Sequence, residues 1–294
     1  AVIALLLSFL IPSDSGPELK LRDLRMLLRG EVRPSAPVIL AVVDDTSFEL
    51  VNMRWPWRRE LFAEAVEIIA DDGAAVIGFD FMLSEEDYLP GDDRLLANSF
   101  ARHGTSILPL KIERRTAGSA VSVYPELPLQ PYMEASERIG FVNLLQDRDG
   151  RIRSFPRSLA AGDKEYDAFA AAIAEAYGAE AESSGIVPIN FIGPAGSFPA
   201  ISLADVLESN FPEGLFLDRI VLIGAAFAES HDNYAVPFSG GQGGLMYGVE
   251  VHAHAVDTLV SGKIPALSSR GTSFGLIFFL LSAAAVLGFF LRPG

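Results

Sequence analysis

Unbroken apolar runs alternate with helically spaced ones along most of this chain. The first run, Val38-Ile39-Leu40-Ala41-Val42-Val43, stops abruptly at Asp44-Asp45-Thr46-Ser47. Its β-branched content and polar boundary predict a strand buried on both faces. Ala74-Ala75-Val76-Ile77-Gly78-Phe79 repeats the pattern and stops at Asp80. Between them, Leu61, Ala65, Ile68 and Ile69 share one helical face, and Asp72-Gly73 closes the helix. Strand, helix, strand, with each strand ending on a carboxylate, predicts the βαβ unit of a parallel sheet. Ligands of open parallel sheets bind outside the carboxyl ends of the strands, so Asp44, Asp45 and Asp80 are expected on one rim. In Arg54-Trp55-Pro56-Trp57-Arg58-Arg59, Pro56 suits the first helical position and puts Trp57, Arg58 and Arg59 in the first turn. Positive charge there opposes the helix dipole, and Asp44, Asp45 or Glu60 are the nearest groups to offset it. Two readings stay open: a structural ion pair beneath a packed Trp pair, or an Arg and Trp lip over an acidic pocket.

Further along, Leu21, Leu24, Leu27 and Leu28 predict a helix within 18–32, and Gly91-Asp92-Asp93 opens another. Residues 106–110 predict a third strand, whereas 111–137, with Pro125, Pro128 and Pro131, reads mostly as loop. Extended runs at 139–143 and 151–155 flank Asp147-Arg148-Asp149-Gly150 and predict a hairpin; a calcium loop would need ligands missing here. Residues 166–177 predict an alanine-rich helix, 186–192 a strand, and Ser202 the cap of a short helix. Residues 219–224 give the last strand, with His231-Asp232 in the loop beyond it, again at the rim. In the closing helix, 249–261, His252 falls on the apolar stripe and His254 beside Glu250 and Asp257, so His252 is expected in the core and His254 solvated or ion-paired.

The ends differ from the middle. Residues 1–12 are almost wholly apolar but too short to span a bilayer, which takes roughly 20 residues, and read as the end of a transmembrane helix. Residues 272–291 carry no charge between Arg270 and Arg292, which predicts a transmembrane helix over 271–292. The expected architecture is therefore α/β: a single domain, 33–266, on a mainly parallel sheet flanked by helices and anchored by transmembrane helices. Half of the 294 residues are hydrophobic, enough for a large core. Lys plus Arg is 23 against 38 Asp plus Glu, a formal charge of −15 that argues against nucleic acid and against an anionic membrane surface as partners. Cysteine is absent, which excludes disulfides, thiol catalysis and Cys-based zinc sites.

The candidate ligand-binding residues are Asp44, Asp45, Arg54, Trp55, Trp57, Asp80 and Asp232. Asp44, Asp45 and Asp80 could hold a divalent cation, calcium or magnesium, because hard cations take carboxylate oxygens. No G-x-S-x-G elbow and no phosphate-binding glycine loop occurs.

Several blocks resemble one family in order and spacing: Val42-Val43-Asp44-Asp45-Thr46-Ser47, Arg54-Trp55-Pro56-Trp57-Arg58-Arg59, Phe79-Asp80-Phe81, Ile139-Gly140-Phe141-Val142-Asn143, Asp147-Arg148-Asp149-Gly150, Ile220-Val221-Leu222-Ile223-Gly224-Ala225 and Gly248-Val249-Glu250-Val251-His252-Ala253. They are similar to the CHASE domain of the second type, the extracytoplasmic sensor of bacterial adenylate cyclases, histidine kinases and Ser/Thr kinases. The likeness runs from about residue 33 to 262. Arg58, Val236-Pro237 and Tyr247 depart from the usual residues of these blocks. The resemblance implies a membrane-held sensor whose main domain faces outward, with a cyclase or kinase output lying beyond Gly294, and no catalysis in this chain. It supplies no ligand. The expected partners are an unidentified extracytoplasmic signal, the membrane and a second copy of the chain in a homodimer. Two alternatives remain, a membrane-anchored metal-dependent hydrolase and a structural dimerisation module.

Overall fold

The computed structural model of the protein describes residues 16–117, 120–180, 185–240 and 244–266, with Phe278 and Ser282. The chain opens with helix α1 (Gly16–Arg29), strand β1 (Val38–Val43) and helices α2 (Asp45–Val51) and α3 (Arg59–Asp71). Then come β2 (Val76–Phe79), α4 (Pro90–His103), β3 (Ser106–Ala117), β4 (Ala120–Glu126), α5 (Gln130–Ala135) and β5 (Arg138–Phe141). Short strands β6 (Ser154–Pro156), β7 (Ser158–Ala161) and β8 (Lys164–Asp167) precede α6 (Phe169–Ala176) and β9 (Ile186–Pro188). The last elements are β10 (Ala200–Ser202), α7 (Leu203–Leu207), β11 (Ile220–Ala225), β12 (Asn233–Tyr234), β13 (Met246–Tyr247) and α8 (Gly248–Ser261).

The main sheet runs β10-β1-β11-β2-β3, all parallel. β3 then divides its pairing: its first half takes β5 in parallel, and its second half takes β4 in antiparallel. Because both faces are covered, the central strands are apolar on both sides. Ile39, Ala41, Val43, Ile77, Phe79, Val221 and Ile223 pack with α3, α4, α5 and α7 on one face. Val38, Leu40, Val42, Val76, Ile220 and Leu222 pack with α6 and α8 on the other. The approach on that second face is close: a Cβ on Gly140 would lie 2.6 Å from the backbone Cα of Phe169.

The mainly parallel α/β sheet with flanking helices is the architecture expected. Several local expectations are corrected. Pro56 does not open α3; it sits in the preceding turn after a cis peptide bond, and the helix starts at Arg59 with Arg58 as its N-cap residue. Residues 111–137 are not mostly loop: β3 continues to Ala117 and returns as β4. The runs around Asp147-Arg148-Asp149-Gly150 form no hairpin with each other. β5 joins the main sheet, β6 pairs with β9, and only the turn between them remains. Ser202 precedes α7 without capping it through its side chain.

The last helix is buried all round, so His254 is not solvated: it is fully buried between the rings of Phe191 and Phe198. The polar stripe of α8 faces loops, whose amides it satisfies. Glu250 accepts from Gly196 N and Ser197 N, Asp257 from Ser35 N and Ala36 N, and Thr258 Oγ1 from Asn190 N. Burial pushes the imidazole of His254 down to about 3 and that of His252 to about 4.

Among the described residues no helix is long and apolar enough to cross a membrane. The stretches read as membrane-spanning, 1–12 and 271–292, lie outside the described residues apart from Phe278 and Ser282.

Candidate ligand-binding site

Neighbouring strands β2 and β11 send the chain to opposite faces of the sheet. After β2 it passes to α4 on one side, and after β11 it passes to α8 on the other. That divergence opens a crevice at the carboxyl ends of the strands, the place where parallel sheets bind ligands. A cavity of about 550 Å³ lies there, within the size range of small-molecule sites. Its floor comes from the ends of β2 and β11, its sides from the segment after β5 and from the loop holding Ser230 to Tyr234.

Asp80 follows β2 directly, its amide held by Ile223 O at 2.7 Å. Among the described residues nothing donates a hydrogen bond to its carboxyl group. Burial first, and then the negative charge of Asp232, push that carboxyl well above the usual carboxylate range. Asp232 is better served. The Tyr234 hydroxyl donates to it and the Gly248 amide, which bonds the Asp232 backbone carbonyl at 2.9 Å, lies beside it, although burial outweighs both and leaves it raised as well. Gly248 is required here, because a Cβ would fall 2.2 Å from Asp232 Oδ2. Tyr234 is itself shifted upward by burial and by the two carboxylates. Trp55 forms the aromatic wall, its ring 5.6 Å from Phe81 and 5.2 Å from Phe227. Lys111 stands at the mouth, drawn to Glu113 at 2.6 Å.

Trp55, Asp80 and Asp232 thus line one cavity; the other rim candidates do not join them. Asp44 is the N-cap of α2, where Oδ1 accepts from Ser47 N at 2.9 Å, Ser47 Oγ at 2.8 Å and Ser202 Oγ at 2.7 Å. Asp45 is exposed in the first turn of that helix, and Arg54 is exposed too. Trp57 is buried, its indole N–H donating to Met53 O. Among the described residues no three His, Asp or Glu side chains are placed to hold a metal ion, and Asp44 and Asp45 lie away from the cavity that Asp80 lines.

The arginines at the start of α3 pair elsewhere than Asp44 or Asp45. Arg58 reaches Glu60 at 2.8 Å and Asp92 at 2.9 Å, and Arg59 lies near Asp87 and Asp93. Asp93 also accepts from the Tyr132 hydroxyl at 2.5 Å. This is the ion-pair reading of the Arg-Trp block, with Glu60 among the partners as expected and the others supplied by the loop before α4 and its first turn.

Sequence reasoning missed a second cluster. Arg153, whose side chain is 3% exposed, donates to Asp23 of α1 and to Asp147 and Asp149 of the turn. Arg29 at the other end of α1 binds Asn190 Oδ1 at 2.5 Å and the Phe191 carbonyl. The only local clue was the Asp-x-Asp-Gly turn, whose carboxylates serve an arginine instead of a cation.

The model of one family, the CHASE2 domain, matches residues 1–288. No curated protein and no solved structure matches the chain. With nearly every residue inside that match, and with the fold just described, the chain belongs to the CHASE2 domain family of extracytoplasmic sensory domains.

Proposed function

We propose that this sensor domain responds to a small molecule bound at the carboxyl ends of β2 and β11, and that occupancy is relayed through α1 and the segment after α8. The observation that carries the reading is the chain path from the cavity to α1. Val142, Asn143 and Leu144 line the cavity, and the same segment continues through the Asp147–Gly150 turn to Arg151 and Arg153. From the other wall, Asp232 and Tyr234 lead to Ala235, which bridges Arg151 and accepts from Ile152 N at 2.8 Å. The two walls therefore meet beside Arg153, which grips Asp23 on α1. A ligand moves α1 only by as much as it favours one arrangement of these walls over another. In the receptor the relay runs through the transmembrane helix that ends within 1–12 and the span at 271–292 to an adenylate cyclase or a sensor kinase across the membrane. The family membership supports an input role, and the uncharged stretch 272–291 supports the spans.

The test places two variants in the receptor gene in its own host: Met82→Trp, which fills the cavity, and Arg153→Met, which cuts the grip on α1. Each is expected to change cyclic nucleotide or phosphorylation output several-fold at normal protein abundance. Unchanged output in both overturns the reading.

A separate observation favours self-association. Leu24 and Leu28, one helical turn apart on α1, are 47% and 78% exposed, with Leu27 beside them, so an apolar face lies open away from the cavity. We infer that a second copy of the chain covers it as a homodimer. Sedimentation of Leu28→Glu against the parent chain tests this, and an equal mass for both, dimeric or monomeric, overturns it.

A further inference from the structure

The polar groups around the cavity differ in what they still offer a ligand. Asn143 spends its amide on Ile112, accepting from its N and donating to its O. Ser230 donates to Phe227 O, and Lys111 is paired with Glu113. His252, 5% exposed, donates to Val142 O, and burial keeps its ring neutral. Exposed His231 lines the cavity too and Lys111 keeps further N–H donors, and the open acceptor capacity is the whole Asp80 carboxyl, which no described group serves, with what Tyr234 leaves of Asp232. A carboxylate short of water is costly unless paired, and no described cation is paired with Asp80. The same cavity is lined by Trp55, Phe81 and Phe227, an aromatic wall that suits both an apolar body and a cation over a ring face.

We propose that the ligand is a small organic amine, its ammonium group set between Asp80 and Asp232 and its apolar body against Trp55, Phe81 and Phe227. This rests on the reading of the cavity as the sensing site. The ammonium donates to Asp80 and supplies the missing positive charge. The aromatic wall distinguishes such a cation from a bare metal ion, which would need more oxygen ligands than two carboxylates provide.

Three near-isosteric probes of different charge test the class on the unaltered chain: 2-phenylethylamine, 2-phenylethanol and phenylacetate, titrated calorimetrically, with calcium and magnesium as further arms. The amine is expected to bind at least tenfold more tightly than the alcohol or the acid, and Asp80→Asn to weaken it at least tenfold. Equal binding of amine and alcohol overturns the proposal. So does preference for the acid, binding of calcium or magnesium but not the amine, or no amine binding at millimolar concentration. An Asp80→Asn chain that keeps its melting transition and binds the amine as before overturns it too. Spin labels at Lys20 on α1 and Lys164 on β8 separate this from the sensor reading. Amine binding without a change in label distance upholds the ligand class and refutes the relay; a distance change produced only by another probe does the reverse.

Discussion

Removing Asp23 should loosen α1 while leaving the rest of the domain folded. Arg153 uses all five of its donors: Nε and one Nη2 bond go to Asp23, and three more go to Asp147 and Asp149. In Asp23→Ala the guanidinium keeps two carboxylates, so no charge is stranded and the loss is that of a bidentate charge-assisted contact. Hydrogen bonds to charged groups are worth about 1.5–3 kcal/mol, and the whole of that loss falls on the docking of α1. A 14-residue helix is marginal in water on its own, so α1 should unwind whenever it leaves the domain. At about 1.4 kcal/mol per decade, its amides should exchange roughly 10- to 150-fold faster than in the parent chain, with the β1 and β11 amides unchanged. Arg153→Met is different in kind. It leaves the buried Asp23 without its bidentate partner, while Asp147 and Asp149 stay in reach of water, and breaking the buried pair should cost about 3–5 kcal/mol of global stability. Hydrogen exchange resolved by peptide, paired with urea unfolding, measures both. The pH dependence follows from Asp149, which Arg153 holds down at about 2. A depressed carboxylate contributes stability above its unfolded value of ~3.9 and loses it as pH falls through the folded value, so the Asp149 contribution to global stability should hold to about pH 4 and fade toward 2. If α1 is as protected in Asp23→Ala as in the parent, or if both variants lose the same global stability, the reasoning is wrong.

Asp44→Ala removes the cap of α2 and should cost about 0.5–2 kcal/mol in urea unfolding without altering ligand binding at the β2 and β11 ends; a loss of binding would return Asp44 to the site. Gly224→Ala would put a Cβ 2.7 Å from Val249 and should cost about 1–3 kcal/mol by forcing α8 off β11, and an unchanged melting temperature would contradict the packing described. Asp80→Asn tests the desolvation of that carboxyl by its pH signature. A carboxyl raised in the native state contributes stability that is full below its unfolded value and is lost as pH rises through the folded one. The variant should therefore gain on the parent chain as pH is raised above about 4, and a difference in urea midpoint that stays constant with pH refutes the burial argument.

The parts of the fold that could be read from sequence are those where one rule governs. β1, β2 and β11 are apolar on both faces because helices cover both faces of the sheet, and the runs show it directly. The extension of β3 with β4 was hidden for the opposite reason. Lys111, Arg114, Arg115 and Thr116 are exposed or half-exposed in a hairpin that leaves the main sheet, so no buried face imprints an alternation. The polar stripe of α8 misled because helical periodicity reports polarity, not solvent. Glu250 and Asp257 are polar in order to satisfy loop amides at Gly196, Ser197, Ser35 and Ala36. The grip of Arg153 on Asp23 joins residues 130 apart, and no local pattern encodes such a pair.

Asp44 and Asp80 show why the rim was legible and the site was not. Both are carboxylates at the ends of parallel strands, and sequence treats them alike. Past Asp44 the chain turns at once into α2, and β10 beside it turns at once into α7, so backbone and Ser202 close over that end of the sheet. Past Asp80 and past β11 the chain leaves to opposite faces, and the cavity lies in the gap between them. Asp44 consequently has three donors on one oxygen, whereas Asp80 has no described donor at all. The distinction is one of hydrogen-bond accounting, which depends on what the following segments do and not on the strand or its terminal residue. An acceptor in the lining of a cavity that no described group serves is the feature a ligand can use, and here that feature belongs to Asp80.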